Sequence, residues 1–164
     1  MSTAIGFAAL LAGCVDMPMT ASDFRDAVRK SNSGKVETFE VKRSVADVGR
    51  TFQRKAAECL NFKLSSTPVG PPSAAAPGAA TVKSTVIASA DQVELDVQVK
   101  AAGNIAKAPP DGNYLLVAVG NPVGKDRTRI EIYRGAGGPI AQSIRAWANG
   151  DERGCPDPKR TFDR

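Results

Sequence analysis

QVELDVQVK, residues 92–100, alternates without a break. Val93, Leu95, Val97 and Val99 fall on one side, and Glu94, Asp96 and Gln98 on the other. A period of two over nine residues is the signature of a strand with one apolar face, here with the three polar side chains expected toward water. Its neighbours follow the same logic. TVKSTVIAS before it is strand-like through Val82, Val86 and Ile87, with Ala90-Asp91 as the tight turn between the two. After a longer turn over 101–112, NYLLVAVG (113–120) is apolar at consecutive positions, as a central strand requires. NPVGKD then reverses the chain, and RTRIEIYR returns with Thr128, Ile130 and Ile132 inward. None of these connections has room for a crossover helix, so the four strands read as an antiparallel meander.

Upstream, KVETFEVKR alternates around Phe39 and Val41 as a half-exposed strand, and FKLSS offers a short one through Phe62 and Leu64. Between them lies the strongest helix pattern. Ser44 is the expected N-cap, Asp47 sits in the positive first turn, and Val45, Val48, Phe52, Ala56, Cys59 and Leu60 form one stripe up to Asn61. A second helix starts at Pro139, carries Ile140, Ile144, Trp147 and Ala148 on one side, and stops at Gly150. A brief helix, FRDAVRKSN, is capped by Ser22-Asp23 and shows Phe24, Ala27 and Val28 together. Each main helix has a single stripe to bury, so the economical solution is an α+β domain. It has an antiparallel sheet of five to six strands, with the helices at 44–60 and 139–149 packed on one face over a filled core. TPVGPPSAAAPGAA, 67–80, is too rich in proline and glycine for a sheet and reads as a flexible loop. The expected divisions are therefore a single domain over 21–155 and a polar tail over 156–164.

The N-terminus reads differently. Ala4 to Ala12 is an apolar run of nine, too short for a bilayer span of about 20 residues but within the roughly 7–15 of a signal-peptide core. It ends at Leu11-Ala12-Gly13-Cys14, which resembles the lipobox of bacterial lipoproteins. That resemblance implies that residues 1–13 are removed and that Cys14 carries diacylglycerol, with a further acyl group on its new amino terminus. Residues 14–20 then form a lipidated tether. Val15 stands where the inner-membrane retention signal has Asp, so the family pattern implies an outer-membrane anchor facing the periplasm. Such leaders begin with Lys or Arg and MSTAIGF has neither, so either the α-amino group stands in for the positive end or, the expectation favoured here, the natural start lies upstream.

With Cys14 assigned to lipid, the three cysteines leave one pair, Cys59 and Cys155, in an oxidising compartment. A bridge between them would close a long loop, worth about 4–5 kcal/mol in the chain-entropy picture, and would fasten a tail of fraying composition. The order of elements is similar to helix-grip and related α+β domains of some envelope lipoproteins. The stretch KVETFEVKRSVADVGRTFQRKAAECLN, about residues 35 to 62, resembles a group of bacterial lipoproteins and implies no particular activity.

Chemistry is sparse. Histidine is absent, which removes the commonest acid–base group and neutral metal ligand together. No GxSxG, HExxH, P-loop or dinucleotide GxGxxG pattern occurs, and the cysteines are not spaced as CxxC. Asp23 with Asp26, and Glu94 with Asp96, read as wet carboxylates, and Trp147 as core. The 22 Lys and Arg against 17 Asp and Glu are scattered, so the net charge of +5 argues for no nucleic-acid partner. Arg50 and Arg54, four apart on the exposed side of the main helix, are the candidate face for an anionic partner. The sequence thus points to a membrane-tethered envelope lipoprotein with a structural or protein-interaction role, without catalysis, cofactor or metal. Its partners are the bilayer, through Cys14, and an envelope protein. The alternative is a carrier of a small apolar or lipid ligand held between the sheet and the C-terminal helix, an expectation that rests on fold analogy.

Overall fold

The computed structural model describes residues 17–65, 79–101 and 108–160. The order is α1 (Ala21–Lys30), β1 (Lys35–Val41), α2 (Val45–Cys59), β2 (Phe62–Ser65), β3 (Ala79–Ala88), β4 (Val93–Ala101), β5 (Asn113–Gly124), β6 (Arg127–Arg134) and α3 (Gly138–Ala148). All six strands form one antiparallel sheet in the order β1-β6-β5-β4-β3-β2. Since β1 and β2 are opposite edges, α2 spans the sheet to join them. It packs there beside α3, and this is the α+β arrangement expected from the two apolar stripes.

The stripes account for the inner core. Val45, Val48, Phe52, Ala56, Cys59 and Leu60 of the α2 region are buried against Ile140, Ile144, Trp147 and Ala148 of α3 and against Leu95, Val97, Ile130 and Ile132 of the sheet. Ser44 caps α2: its hydroxyl accepts from the Asp47 N–H at 3.2 Å and donates to Asp47 Oδ2 at 2.6 Å. Gly150, at φ +91°, turns the chain off α3, its N–H donating to the Trp147 carbonyl at 2.9 Å.

The sheet is also covered on its other face. There Ala21, Phe24 and Val28 of α1 pack on Val117, Val119 and Tyr133. This explains why β5 is apolar at consecutive positions: Leu116 and Ala118 point one way, Val117 and Val119 the other, and all four are buried. It also overturns the expectation that Glu94, Asp96 and Gln98 face water. Asp96 and Gln98 are each only 7% exposed, and Glu94 is half-buried, because Arg25 of α1 and the chain around Gly112 and Tyr114 cover that side of β4. Ala27, assigned to the buried side of α1, is exposed. The N-cap of α1 is Thr20 rather than Ser22-Asp23. Thr20 Oγ1 accepts from the Asp23 N–H while Asp23 Oδ2 accepts from the Thr20 N–H, both at 3.1 Å, a reciprocal capping box.

Two boundaries move for physical reasons. NPVG belongs to β5, and only Lys125 and Asp126 turn the chain. The β4 ladder ends at Val93 opposite Gly120, so Pro122 lies beyond it and its missing N–H breaks no bond to β4. Ala79 and Ala80, assigned to the flexible loop 67–80, pair with Ser65 and Leu64 as the start of β3; backbone pairing needs no large side chain. Residues 67–78 of that loop lie outside the described residues. Ala90-Asp91 form the tip of the β3–β4 turn, as expected, and Ser89 closes it from one side. Its N–H donates to the Gln92 carbonyl at 2.8 Å, and its hydroxyl accepts from the Gln92 N–H at 3.1 Å.

One arginine ties the inner layer together. Arg43, just after β1, donates to the Trp147 carbonyl at 2.9 Å, to the Asp47 carbonyl at 3.3 Å and to Thr51 Oγ1 at 3.0 Å. Its own carbonyl accepts from Thr128 Oγ1 at 2.8 Å. A cation at the C-terminus of α3 is favoured by the helix dipole, and one planar guanidinium here satisfies acceptors on two helices. Arg43→Lys, which keeps the charge but loses the fork, is expected to lower unfolding stability by about 1–3 kcal/mol in urea titration. A loss below a few tenths would show that the node contributes nothing.

Candidate functional site

Cys14 lies outside the described residues. Cys59, the last residue of α2, is bonded to Cys155 across a sequence separation of 96, with a Cα–Cα distance of 5.2 Å. The returning tail is pinned a second time by Glu152, which accepts from Thr51 Oγ1 at 3.1 Å and forms an ion pair with Arg54. Arg50 pairs with Asp47. Both arginines stand on the exposed side of α2, as the helical spacing requires, but each has a carboxylate partner in this chain. The face they share is therefore a ridge of mixed charge rather than a bare cationic patch, and exposed pairs of this kind contribute little to stability.

A polar cluster that sequence reasoning missed lies under α1. Glu94 and Asp96 project from the same face of β4, and Arg25 of α1 reaches over to donate to Glu94 at 2.7 Å. Gln98, next on that face, donates to the Gly112 carbonyl at 3.0 Å. Asp96 is sealed between them, and its Oδ1 has no hydrogen-bond partner. Burial, reinforced by the Glu94 charge and only partly opposed by Arg25, pushes the Asp96 carboxyl up to about 7. Tyr114 joins this face through a β-bulge. Val97 pairs with Leu116 but Gln98 pairs with Tyr114, so Leu115 is the extra residue. Leu115 and Leu116 both enter the inner core, and Tyr114 is turned to α1, where its ring stacks on Phe24 at 5.7 Å between centroids. Burial and then the Asp96 and Glu94 charges raise the Tyr114 phenol above its ordinary value. The cluster can hold or release a proton near neutrality. A strand of alternating residues signals only that Asp96 faces away from the inner core, never that another helix covers it.

Recesses on the surface of the described residues include one beside α1 and one beside α3. The first, of about 250 Å³, is walled by Met17, Pro18, Phe24, Val28 and Tyr114. The other, of about 370 Å³ and polar, lies between α3 and the tail, with Gln142, Ser143 and Arg153 among its walls. The space between the sheet and α3, where the carrier reading places its ligand, is occupied by Ile140, Ile144 and Trp147, all buried against the sheet side chains. Among the described residues no three His, Cys, Asp or Glu side chains are grouped to hold a metal ion, and no helix is long and apolar enough to cross a membrane.

No family model matches the chain, and no curated protein matches it. Among solved structures, a conserved protein from Geobacillus kaustophilus is similar over 61% of this chain and 70% of its own, with 16% identity and a TM-score of 0.31.

The buried carboxyl has a pH signature with a definite sign. Unfolded, Asp96 ionises near 3.8; folded, near 7. Between those values the folded state keeps a proton that the unfolded state has released, so this group's contribution falls as pH rises and levels off above 7. Asp96→Asn removes the effect. Relative to the wild type, the variant is expected to gain on the order of 2–4 kcal/mol between pH 4 and pH 8 in parallel urea titrations. A constant difference across that range would place the Asp96 carboxyl in water.

Proposed function

We propose that this chain is a lipid-anchored protein of the bacterial envelope, held on the outer membrane facing the periplasm, with a structural or protein-interaction role and no catalysis. The observation that carries the reading is Leu11-Ala12-Gly13-Cys14 at the end of an apolar run. An apolar run of nine that ends in Leu11-Ala12, followed by Gly13 and a thiol, suits removal of the leader and acylation of Cys14. Each buried methylene contributes about 0.8 kcal/mol, so two or three acyl chains hold a water-soluble body firmly where one would not.

The cysteine arithmetic supports the same reading. With Cys59 and Cys155 bonded to each other, Cys14 is the one cysteine left for other chemistry. A bridge across 96 residues also belongs with an oxidising compartment. The mixed-charge ridge at Arg50 and Arg54, backed by the pinned tail, is the surface we assign to an envelope protein partner. Its alternating charges suit a partner chosen by geometry rather than by bulk attraction.

Intact-mass analysis of the membrane fraction from the native host tests the anchor. The expected species lacks residues 1–13, carries diacylglycerol and a further acyl group at Cys14, and has Cys59 and Cys155 oxidised. Cys14→Ala is expected to move the protein out of the membrane fraction. A native protein that keeps its leader and a free Cys14 thiol would overturn the reading.

A further inference from the structure

The chain enters α1 past two exposed methionines. Met17 is 41% exposed and forms one wall of the 250 Å³ recess, and Met19 is 49% exposed. Ser31, Ser33 and Gly34 also line it, and Val36, two residues on, is 44% exposed. Of the four large apolar side chains exposed among the described residues, Met17 lines this recess, and Met19 and Val36 lie one and two residues along the chain from its lining residues Pro18 and Gly34. The fourth, Ile87, pairs with Glu94 at the other end of the sheet. Isolated exposed apolar residues need no explanation, whereas a group around an apolar recess marks a contact surface.

Charge at the same place is one-sided. Lys30 and Lys35 bracket the wall formed by Ser31–Gly34, are both exposed, and enter no ion pair among the described residues. The neighbouring carboxylates are engaged elsewhere: Asp23 in the α1 cap, Asp26 with Arg29, and Glu37 with Arg134 and Arg145. The two ammonium groups are thus left to meet an anion outside the chain.

Covalent length supplies the last constraint. Cys14 is three residues before Met17, a reach of about 10 Å at full extension. A domain tethered so closely cannot present an arbitrary side to the membrane that holds Cys14. We infer that this end of the domain docks directly on an anionic phospholipid surface. Met17, Met19 and Val36 enter the boundary between headgroups and acyl chains, and Lys30 and Lys35 meet lipid phosphates. The inference rests on the anchor proposed above and adds an orientation to it. The Lys125-Asp126 turn, at the far end of β5, then points away from the bilayer.

The test is an amine-acetylation footprint of the acylated full chain in phosphatidylcholine–phosphatidylglycerol vesicles. Each lysine is normalised to the same protein unfolded in detergent and denaturant, and the exposed Lys125 serves as internal reference. Lys30 and Lys35 are expected to react about fivefold more slowly than Lys125, and peroxide oxidation of Met19 to be slowed likewise. Met19→Asp, an exposed change that leaves the fold intact, is expected to bring Lys30 and Lys35 back toward the rate of Lys125. If the lysines react equally while the mass shows acylation at Cys14, the docking is overturned and the anchor stands. If the mass shows no acyl group and the chain does not sediment with the vesicles, both fall.

Discussion

Strand β5 must be kept from water on both sides at once. Leu116 and Ala118 look toward α2 and α3; Val117 and Val119 look the opposite way, and no part of a two-helix, one-face arrangement can reach them. Burying a side chain of this size is worth roughly 1.5–3 kcal/mol, so leaving that second face wet would be costly in a domain whose net stability is only about 5–15 kcal/mol. The ten residues of α1 are the cover. Phe24 and Val28, with Ala21, supply just enough apolar surface to close over Val117, Val119 and Tyr133.

Placing α1 there decides several other things. Its Arg25 comes to rest over Glu94, and the next carboxylate, Asp96, is sealed with one oxygen unpaired. The chain leading into α1 is brought to the end of the sheet where β5 begins and β6 ends, and Met17 and Pro18 become walls of the recess there. The same packing that roofs β5 therefore also selects which end of the body lies nearest Cys14, the residue proposed as the anchor. The two-sided demand of one strand thus propagates to the orientation proposed for the whole domain.

The inner layer is secured by different means. Its apolar stripes are long enough to associate without help, but two weak points remain: the C-terminus of α3 and the polar tail after it. Arg43 supports the first by donating to the Trp147 and Ala148 carbonyls in the last turn of α3. The disulfide to Cys59 and the contacts of Glu152 fasten the second along the outside of α2. Both devices connect segments far apart in sequence, but only the disulfide also restricts the unfolded chain. Glu152 thereby sets the tail against the side of α2 that bears Arg54.

Much of this was written in local patterns. Alternation in QVELDVQVK, the stripe from Val45 to Leu60, the Ser44 cap, and Ile140, Ile144 and Trp147 at helical spacing determine the elements and the inner core, because an element's own period reveals which of its sides is apolar. The other side is a matter for neighbours. Asp96 shows the same polar alternation whether its face is bathed or roofed, and Tyr114 has the parity of Leu116 until a bulge opposite Val97 and Gln98 reverses it. Pro122 reads as a turn residue until the ladder beside it is known to have ended. What lay beyond the sequence was, in each case, a contact between segments distant along the chain, and only the packed structure decides which side of a strand water still reaches.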